Sequence, residues 1–196
     1  MRIGIYGGSF NPIHRGHTAL AKSLIRQKLV DEVWLMVSPL NPLKAGETHE
    51  TLQPTYDQRL RMVRLATYDM EGVIASDFER TLPLPSYTIT TLHELSRQYP
   101  EHEFSLVIGA DNWQRFARWH RHEEILRDYS LIVFHRPSYD TSGIALPDNA
   151  RIIFAHTPLY DVSSTEIRER IKKAEDTKGM INKKVFLFIQ KHLLYI

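Results

Sequence analysis

The chain has 196 residues, enough for one domain with a sizeable hydrophobic core. Its hydrophobic share of 42% and charged share of 24% are those of an ordinary globular protein, and a formal charge of +2 is too small to point to nucleic acid as a partner. The absence of Cys excludes a disulfide framework and thiol chemistry, and no run approaches the ~18 apolar residues of a membrane span. The chain also enters a strand-like segment at once, without the regions of a secretory leader, so a cytoplasmic setting with no membrane partner is expected.

Ile3-Gly4-Ile5-Tyr6 reads as a short buried strand, and residues 18–25 read as a helix. Between them lies Gly7-Gly8-Ser9-Phe10-Asn11-Pro12-Ile13-His14-Arg15-Gly16-His17. Strand, glycine-rich turn and helix in that order are the usual setting for a bound phosphate. The glycines let the backbone run close to a ligand where a Cβ would collide. His14 and His17 fall at the helix start, where free N–H groups and the helix dipole already favour an anion. Small shifts carry histidines across neutrality, so they add positive charge in such a site. The spacing matches neither G-x-G-x-x-G nor the P-loop. Two other readings of the pair are helix capping and zinc. Zinc ordinarily takes three or four ligands, and the chain has neither Cys nor H-E-x-x-H, so no metal ligand is assigned.

Residues 33–37 read as a second buried strand, followed by a long loop, residues 38–55, rich in proline. Within it Lys44 follows Asn41-Pro42-Leu43 and either meets a phosphate or faces solvent. Thr55 and Gln58 have capping-box spacing and open a helix carrying Leu60, Met62, Val63, Leu65 and Ala66. The interleaved Arg59, Arg61 and Arg64 read as a solvated face. Residues 73–75 form a short strand candidate, and Leu82-Pro83-Leu84-Pro85 breaks regular structure. Ser86-Tyr87-Thr88 then starts a helix, with Ser86 as N-cap and Ile89, Leu92 and Leu95 at helical spacing.

Residues 104–108 are a strong buried strand ending in Gly109-Ala110-Asp111, with a helix expected through Trp113 and Phe116. Asp111 either caps that helix or accepts from a ribose. Trp119, beside His120, is either core or a stacking surface. Residues 131–134 form another strand leading to His135-Arg136-Pro137, where Arg136 either reaches a phosphate or pairs with an acid. Residues 152–154 form a last strand. Ser163 and Glu166 again have capping-box spacing, and Ser163-Ser164-Thr165 with Arg168 one turn on also makes an anion cradle. A terminal helix is expected from Asn182 to Tyr195. Strands and helices alternate throughout. That predicts an α/β, Rossmann-like, doubly wound and mainly parallel sheet with helices on both faces. One domain, 1–196, is expected, with C-terminal helices over about 163–196 packed on it. The candidate site residues each follow a strand, where open α/β sheets bind ligands.

The glycine-rich stretch with its His14-Arg15-Gly16-His17 box resembles the H-x-G-H nucleotidyltransferases. Pro42-Leu43-Lys44, Pro85-Ser86-Tyr87-Thr88, Gly109-Ala110-Asp111, Trp119, Arg136-Pro137 and Val162-Ser163-Ser164-Thr165-Glu166-Ile167-Arg168 extend the resemblance over nearly the whole chain, to the bacterial nicotinate-nucleotide adenylyltransferases. Asn11 and Leu43 depart from that pattern, which often has Asp and His there. The resemblance implies adenylyl transfer from ATP to nicotinate mononucleotide, with Mg2+, giving deamido-NAD and pyrophosphate. It implies His14, His17, Lys44 and Arg168 as catalytic groups on the phosphates. Gly7, Gly8, Ser9, Phe10, Gly109, Asp111, Arg136, Ser163, Ser164 and Thr165 would bind ATP. Ser86, Tyr87, Thr88 and Trp119 would bind nicotinate mononucleotide, Trp119 by stacking on the pyridine ring. Homo-oligomers are compatible with this reading. Two alternatives are a sister enzyme for nicotinamide mononucleotide or phosphopantetheine, and a non-enzymatic nucleotide-binding module.

Overall fold

The computed structural model describes residues 1–39, 54–134, 151–155 and 162–196. Lys44, Arg136 and the departure at Leu43 lie outside the described residues. A six-stranded sheet forms from β1 (Arg2–Gly8), β2 (Glu32–Val37), β3 (Val73–Ser76), β4 (Glu103–Gly109), β5 (Ser130–Phe134) and β6 (Ile152–Ala155). Every described pairing is parallel, and the spatial order is β3-β2-β1-β4-β5-β6. The expected doubly wound architecture is therefore the one observed.

Alternation along the strands separates two cores. Ile3 and Ile5 of β1, Leu106 and Ile108 of β4, and Leu131 and Val133 of β5 join one of them. Tyr6, Val107, Ile132 and Phe134 join the other. The first core is closed by α3 (Thr88–Gln98) and α5 (His122–Asp128), through Ile89, Leu92, Leu95 and Ile125. The second is closed by α1 (Arg15–Arg26), α2 (Tyr56–Thr67), α6 (Ser164–Lys172) and α7 (Lys183–Lys191). Burial on both faces is what makes these strands near-continuous apolar runs. Gly4 permits close packing here: a Cβ on it would lie 3.1 Å from Val107. Among the described residues, no helix is long and apolar enough to cross a membrane.

Several local expectations change. The first strand continues through Gly7 and Gly8, and its helix begins at Arg15, three residues before the apolar run. The single helix expected after Gly109 is instead a short α4 (Ala110–Trp113) and a 3-10 turn, Phe116–Arg118. Arg121, with φ 54°, then redirects the chain into α5, an element the apolar spacing did not signal. The N-cap of α3 is Tyr87, and Ser86 lies one residue outside the helix, buried. The terminal helix ends at Lys191, four residues before Tyr195.

Candidate active site

The direction of strand order reverses between β1 and β4, and open parallel sheets leave a crevice beyond the strand ends at that point. A cleft of about 260 Å³ occupies it, walled by Ile5–Gly8 of β1, Leu106–Gly109 of β4, Ser38 after β2 and Phe134 at the end of β5.

The glycines have separate physical reasons. A Cβ on Gly7 would meet nothing within 4 Å, so this residue leaves the cleft wall open to a ligand. A Cβ on Gly8 would instead lie 3.0 Å from the Phe10 ring. Phe10 is buried, and its φ of 45° is uncommon for a bulky side chain. Edge contacts with Tyr6 at 5.8 Å and His17 at 5.0 Å hold its ring. Close ligand approach therefore explains Gly7, while Gly8 serves the packing of Phe10.

The turn is fastened from both halves of the sheet. Arg59 of α2 donates from Nη1 to the carbonyls of Ser9, at 2.7 Å, and Ser38, at 3.0 Å. It is only 6% exposed, which corrects its reading as part of a solvated face. Arg61 and Arg64 are exposed, as expected. Burial pulls the Arg59 guanidinium below its ordinary value. From α6, Ser164 Oγ donates to the Pro12 carbonyl at 2.9 Å, and Arg168 Nη1 donates to the Asn11 carbonyl at 2.8 Å. Arg168 Nη2 also donates to Thr165 Oγ1 at 3.1 Å. The Tyr195 hydroxyl donates to Asn11 Oδ1 at 2.6 Å, and burial pushes that phenol far above its usual range.

His14 is the N-cap of α1 and His17 lies in its first turn. Their rings stack with centroids 3.7 Å apart. The His14 backbone N–H donates to His17 Nδ1 at 3.2 Å, so a neutral His17 carries its proton on Nε2. His17 lines the cleft. His14 is buried and borders a separate hollow of about 470 Å³ with Arg15, Lys22 and Lys183.

The same cleft is lined by Thr88, which opens α3, and by Ser86, Thr91 and Trp119. Ser86 Oγ and Trp119 Nε1 are buried with no hydrogen-bond partner among the described residues. Glu79 projects here from the 3-10 turn Phe78–Thr81 that follows β3. It is 8% exposed and accepts from Thr91 Oγ1 at 3.0 Å and from the Ser38 hydroxyl. Burial pushes its carboxyl up to about 7, while the two hydroxyl bonds oppose the rise.

Of the residues expected in the site, Gly7, Gly8, Ser9, Phe10, His17, Ser86, Thr88, Gly109, Trp119 and Ser164 line this one cleft. Arg168 and Thr165 lie behind the turn that forms its wall. Ser163 is exposed and caps α6, accepting from the Glu166 N–H at 3.1 Å. Asp111 sits in the first turn of α4, and its neighbour Asn112 is the residue on the cleft wall. The Tyr87 ring packs on His120, with centroids 4.4 Å apart. Sequence reasoning missed Glu79, Arg59, Thr91, Asn112 and Tyr195. Only Arg59 carried a usable signal: it shares the i, i+3, i+4, i+7 stripe with Met62, Val63 and Ala66, which faces the core.

The cytidylyltransferase-like family model matches residues 5–170. The chain is 42% identical over 193 residues to a probable nicotinate-nucleotide adenylyltransferase of Bacteroides thetaiotaomicron, covering 98% of this chain and 93% of that protein. It is 38% identical to the protein of the same description from Flavobacterium johnsoniae, covering 100% and 99%. Among solved structures, it is similar in fold to a Plasmodium falciparum nicotinic acid mononucleotide adenylyltransferase complexed with NaAD. The TM-score is 0.80 at 18% identity, over 99% of this chain and 97% of that one.

Proposed function

The chain belongs to the cytidylyltransferase-like family and, within it, to the nicotinate-nucleotide adenylyltransferases, and from that membership we propose how its cleft carries the reaction. The enzyme transfers the adenylyl group of ATP to nicotinate mononucleotide, giving deamido-NAD and pyrophosphate in NAD biosynthesis. A phosphate oxygen of the mononucleotide attacks the α-phosphorus of ATP. The bond from that phosphorus to the oxygen bridging it to the β-phosphate breaks, and its electron pair leaves with pyrophosphate.

The nucleophile is already ionised, so the protein needs no general base. Its tasks are to bring two polyanions together in line and to stabilise charge on the α-phosphate and leaving group. The observation that supports this reading is that Gly7, which leaves the wall open, His17 and the start of α6 line a single cleft. In the proposed arrangement ATP lies along residues 7–10, with His17 and the first backbone N–H groups of α6 donating to its phosphates. Arg168 adds positive charge and fixes the turn through Asn11. Lys44, His14, Arg136, Ser163 and Thr165 belong to the phosphate end in this proposal, and Gly109 and Asp111 to the ribose. Thr88, Ser86 and Tyr87 bound the nicotinate half, with Trp119 stacked on its ring.

At the proposed phosphate end His17 and Arg168 supply nitrogen donors, and the Ser164 hydroxyl is already committed to the Pro12 carbonyl. That set suits phosphate oxygens better than a hard dication, which prefers oxygen ligands. Mg2+ is therefore proposed to enter as part of the ATP substrate, where it neutralises charge on the triphosphate.

The test is product identification after incubation with Mg-ATP and nicotinate mononucleotide. Deamido-NAD and pyrophosphate in equal amounts are expected. ADP or free phosphate as the nucleotide-derived product would mean attack at another phosphorus and would contradict the proposed geometry.

A further inference from the structure

The cleft contains an acid that the adenylyl-transfer chemistry does not use. Glu79 is more than nine-tenths buried, lines the same cleft as Ser86, Thr88 and Trp119, and is fixed from two sides by hydroxyls. Thr91, its partner on α3, lies three residues after Thr88 on the same helix. Residues so spaced share a face about one turn apart, on the order of 5 Å. A pyridine substituent held at the first turn of α3 therefore comes within about one helical turn of the Glu79 carboxyl.

We propose that Glu79 sets the discrimination between an acid and an amide on the pyridine ring and makes it depend on pH. The protonated carboxyl accommodates a substrate carboxylate beside it. The ionised carboxyl repels that carboxylate and leaves a neutral amide largely unaffected. This rests on the reading that the nicotinate half of the substrate occupies the Thr88–Trp119 end of the cleft.

The surroundings favour a titrating group. Burial holds the carboxyl near neutrality, at about 7, and an incoming substrate carboxylate pushes in the same direction. The elements around Glu79 supply few compensating charges. Tyr56 of α2 interacts with Glu79 and is itself surrounded by Arg59, Asp77 and Arg80. Arg59 spends its Nη1 donor on the carbonyls of Ser9 and Ser38, and Arg80 pairs with Asp57 at 2.9 Å. The neighbouring groups on α3 and at the end of β2 are the Thr91 and Ser38 hydroxyls. On the lining of the cleft the other titratable residues are Tyr6 and His17. Ser86 Oγ, buried and unpartnered among the described residues, remains as a donor for the substrate carboxylate.

The experiment measures kcat/KM for nicotinate mononucleotide and nicotinamide mononucleotide with Mg-ATP between about pH 6 and 9, in the wild type and in Glu79→Gln. Both substrates carry the same phosphate, whose second ionisation near pH 6 cancels in the ratio, and the pyridine carboxylate is ionised throughout. The expected acid-to-amide ratio falls above about pH 7 by up to about tenfold per unit, through KM rather than kcat. In Glu79→Gln the ratio should be level with pH, because the amide keeps the Thr91 hydrogen bond and cannot ionise. A level wild-type ratio, or a slope that persists in the variant, would overturn the proposal. The wild-type profile decides by itself if the variant does not fold. Turnover of other acceptors with none of nicotinate mononucleotide would instead contradict the acceptor assignment on which the inference rests.

Discussion

His17 combines one acceptor and one donor in a fixed sense. Its Nδ1 accepts the His14 N–H, which leaves the proton of the neutral ring on Nε2, and the proposed mechanism gives that N–H to a phosphate. Removing one pre-aimed donor to a developing phosphate charge costs about 100-fold or more in rate. His17→Ala should therefore lose at least that factor in kcat while circular dichroism and the melting transition remain those of a folded protein. A folded variant with unchanged kcat would remove His17 from the mechanism. Glu79 makes a second prediction, for stability. Its carboxyl titrates near 4.5 when unfolded and about 7 when folded, so the folded state holds the proton over that interval. The stabilisation from holding it is complete below about pH 4.5 and is lost as pH rises through about 7. Denaturant unfolding should show wild type losing stability relative to Glu79→Gln across that window, and parallel pH profiles would contradict the assigned burial. At this scale the histidine box was legible because a strand, a tight turn and a helix start place its members within a few consecutive residues. Glu79 was not: it is one acid in a polar turn, and only long-range packing against Thr91 and Ser38 gives it a buried environment.

The ends of the helices show what spacing alone does not determine. Thr55 forms a reciprocal capping box with Gln58, as its spacing predicts. Ser163 makes only half of one, because the Glu166 carboxylate accepts from Arg170 Nε at 3.0 Å instead. Both segments have the same sequence pattern, and a competing cation one turn on separates the outcomes. Helices α1, α6 and α7 close with paired bonds back to the last turn, around Lys28, Ala174 and Leu193 at φ 57°, 54° and 51°. These are Schellman ends in which a side chain replaces the usual glycine. For α7 the Leu193 N–H donates to the Gln190 carbonyl and the Leu194 N–H to the Ile189 carbonyl, which ends the helix early and buries Leu194. The apolar pattern past Lys191 resembled more helix because Leu194 still faces the core. Lys28 is exposed, so Lys28→Gly removes backbone strain without removing a buried side chain. It should raise stability by about 0.5–1 kcal/mol, or the melting temperature by about 1–4 °C. A fall of similar size would show that the strain there is already relieved.

Across the whole molecule, the site depends on contacts between distant parts of the chain. Alternating strands and helices announced a doubly wound sheet, but no local pattern states that β1 and β4 are neighbours in its middle. That adjacency creates the cleft, and it follows from crossovers packing on both faces. The Tyr195–Asn11 bond spans 184 residues and ties the tail after α7 to the phosphate turn. Tyr195→Phe keeps the ring and removes the hydroxyl. It should cost about 1 kcal/mol and raise KM for ATP several-fold, because the turn loses one of its fasteners. An unchanged KM for ATP would confine Tyr195 to a structural role.

The most direct test of the account is pyrophosphate release from Mg-ATP with nicotinate mononucleotide, nicotinamide mononucleotide, phosphopantetheine and glycerol 3-phosphate as competing acceptors near pH 7. The account predicts that nicotinate mononucleotide has the highest kcat/KM. A different preferred acceptor would leave adenylyl transfer at the glycine turn standing but contradict the placement of the nicotinate half between Thr88 and Trp119.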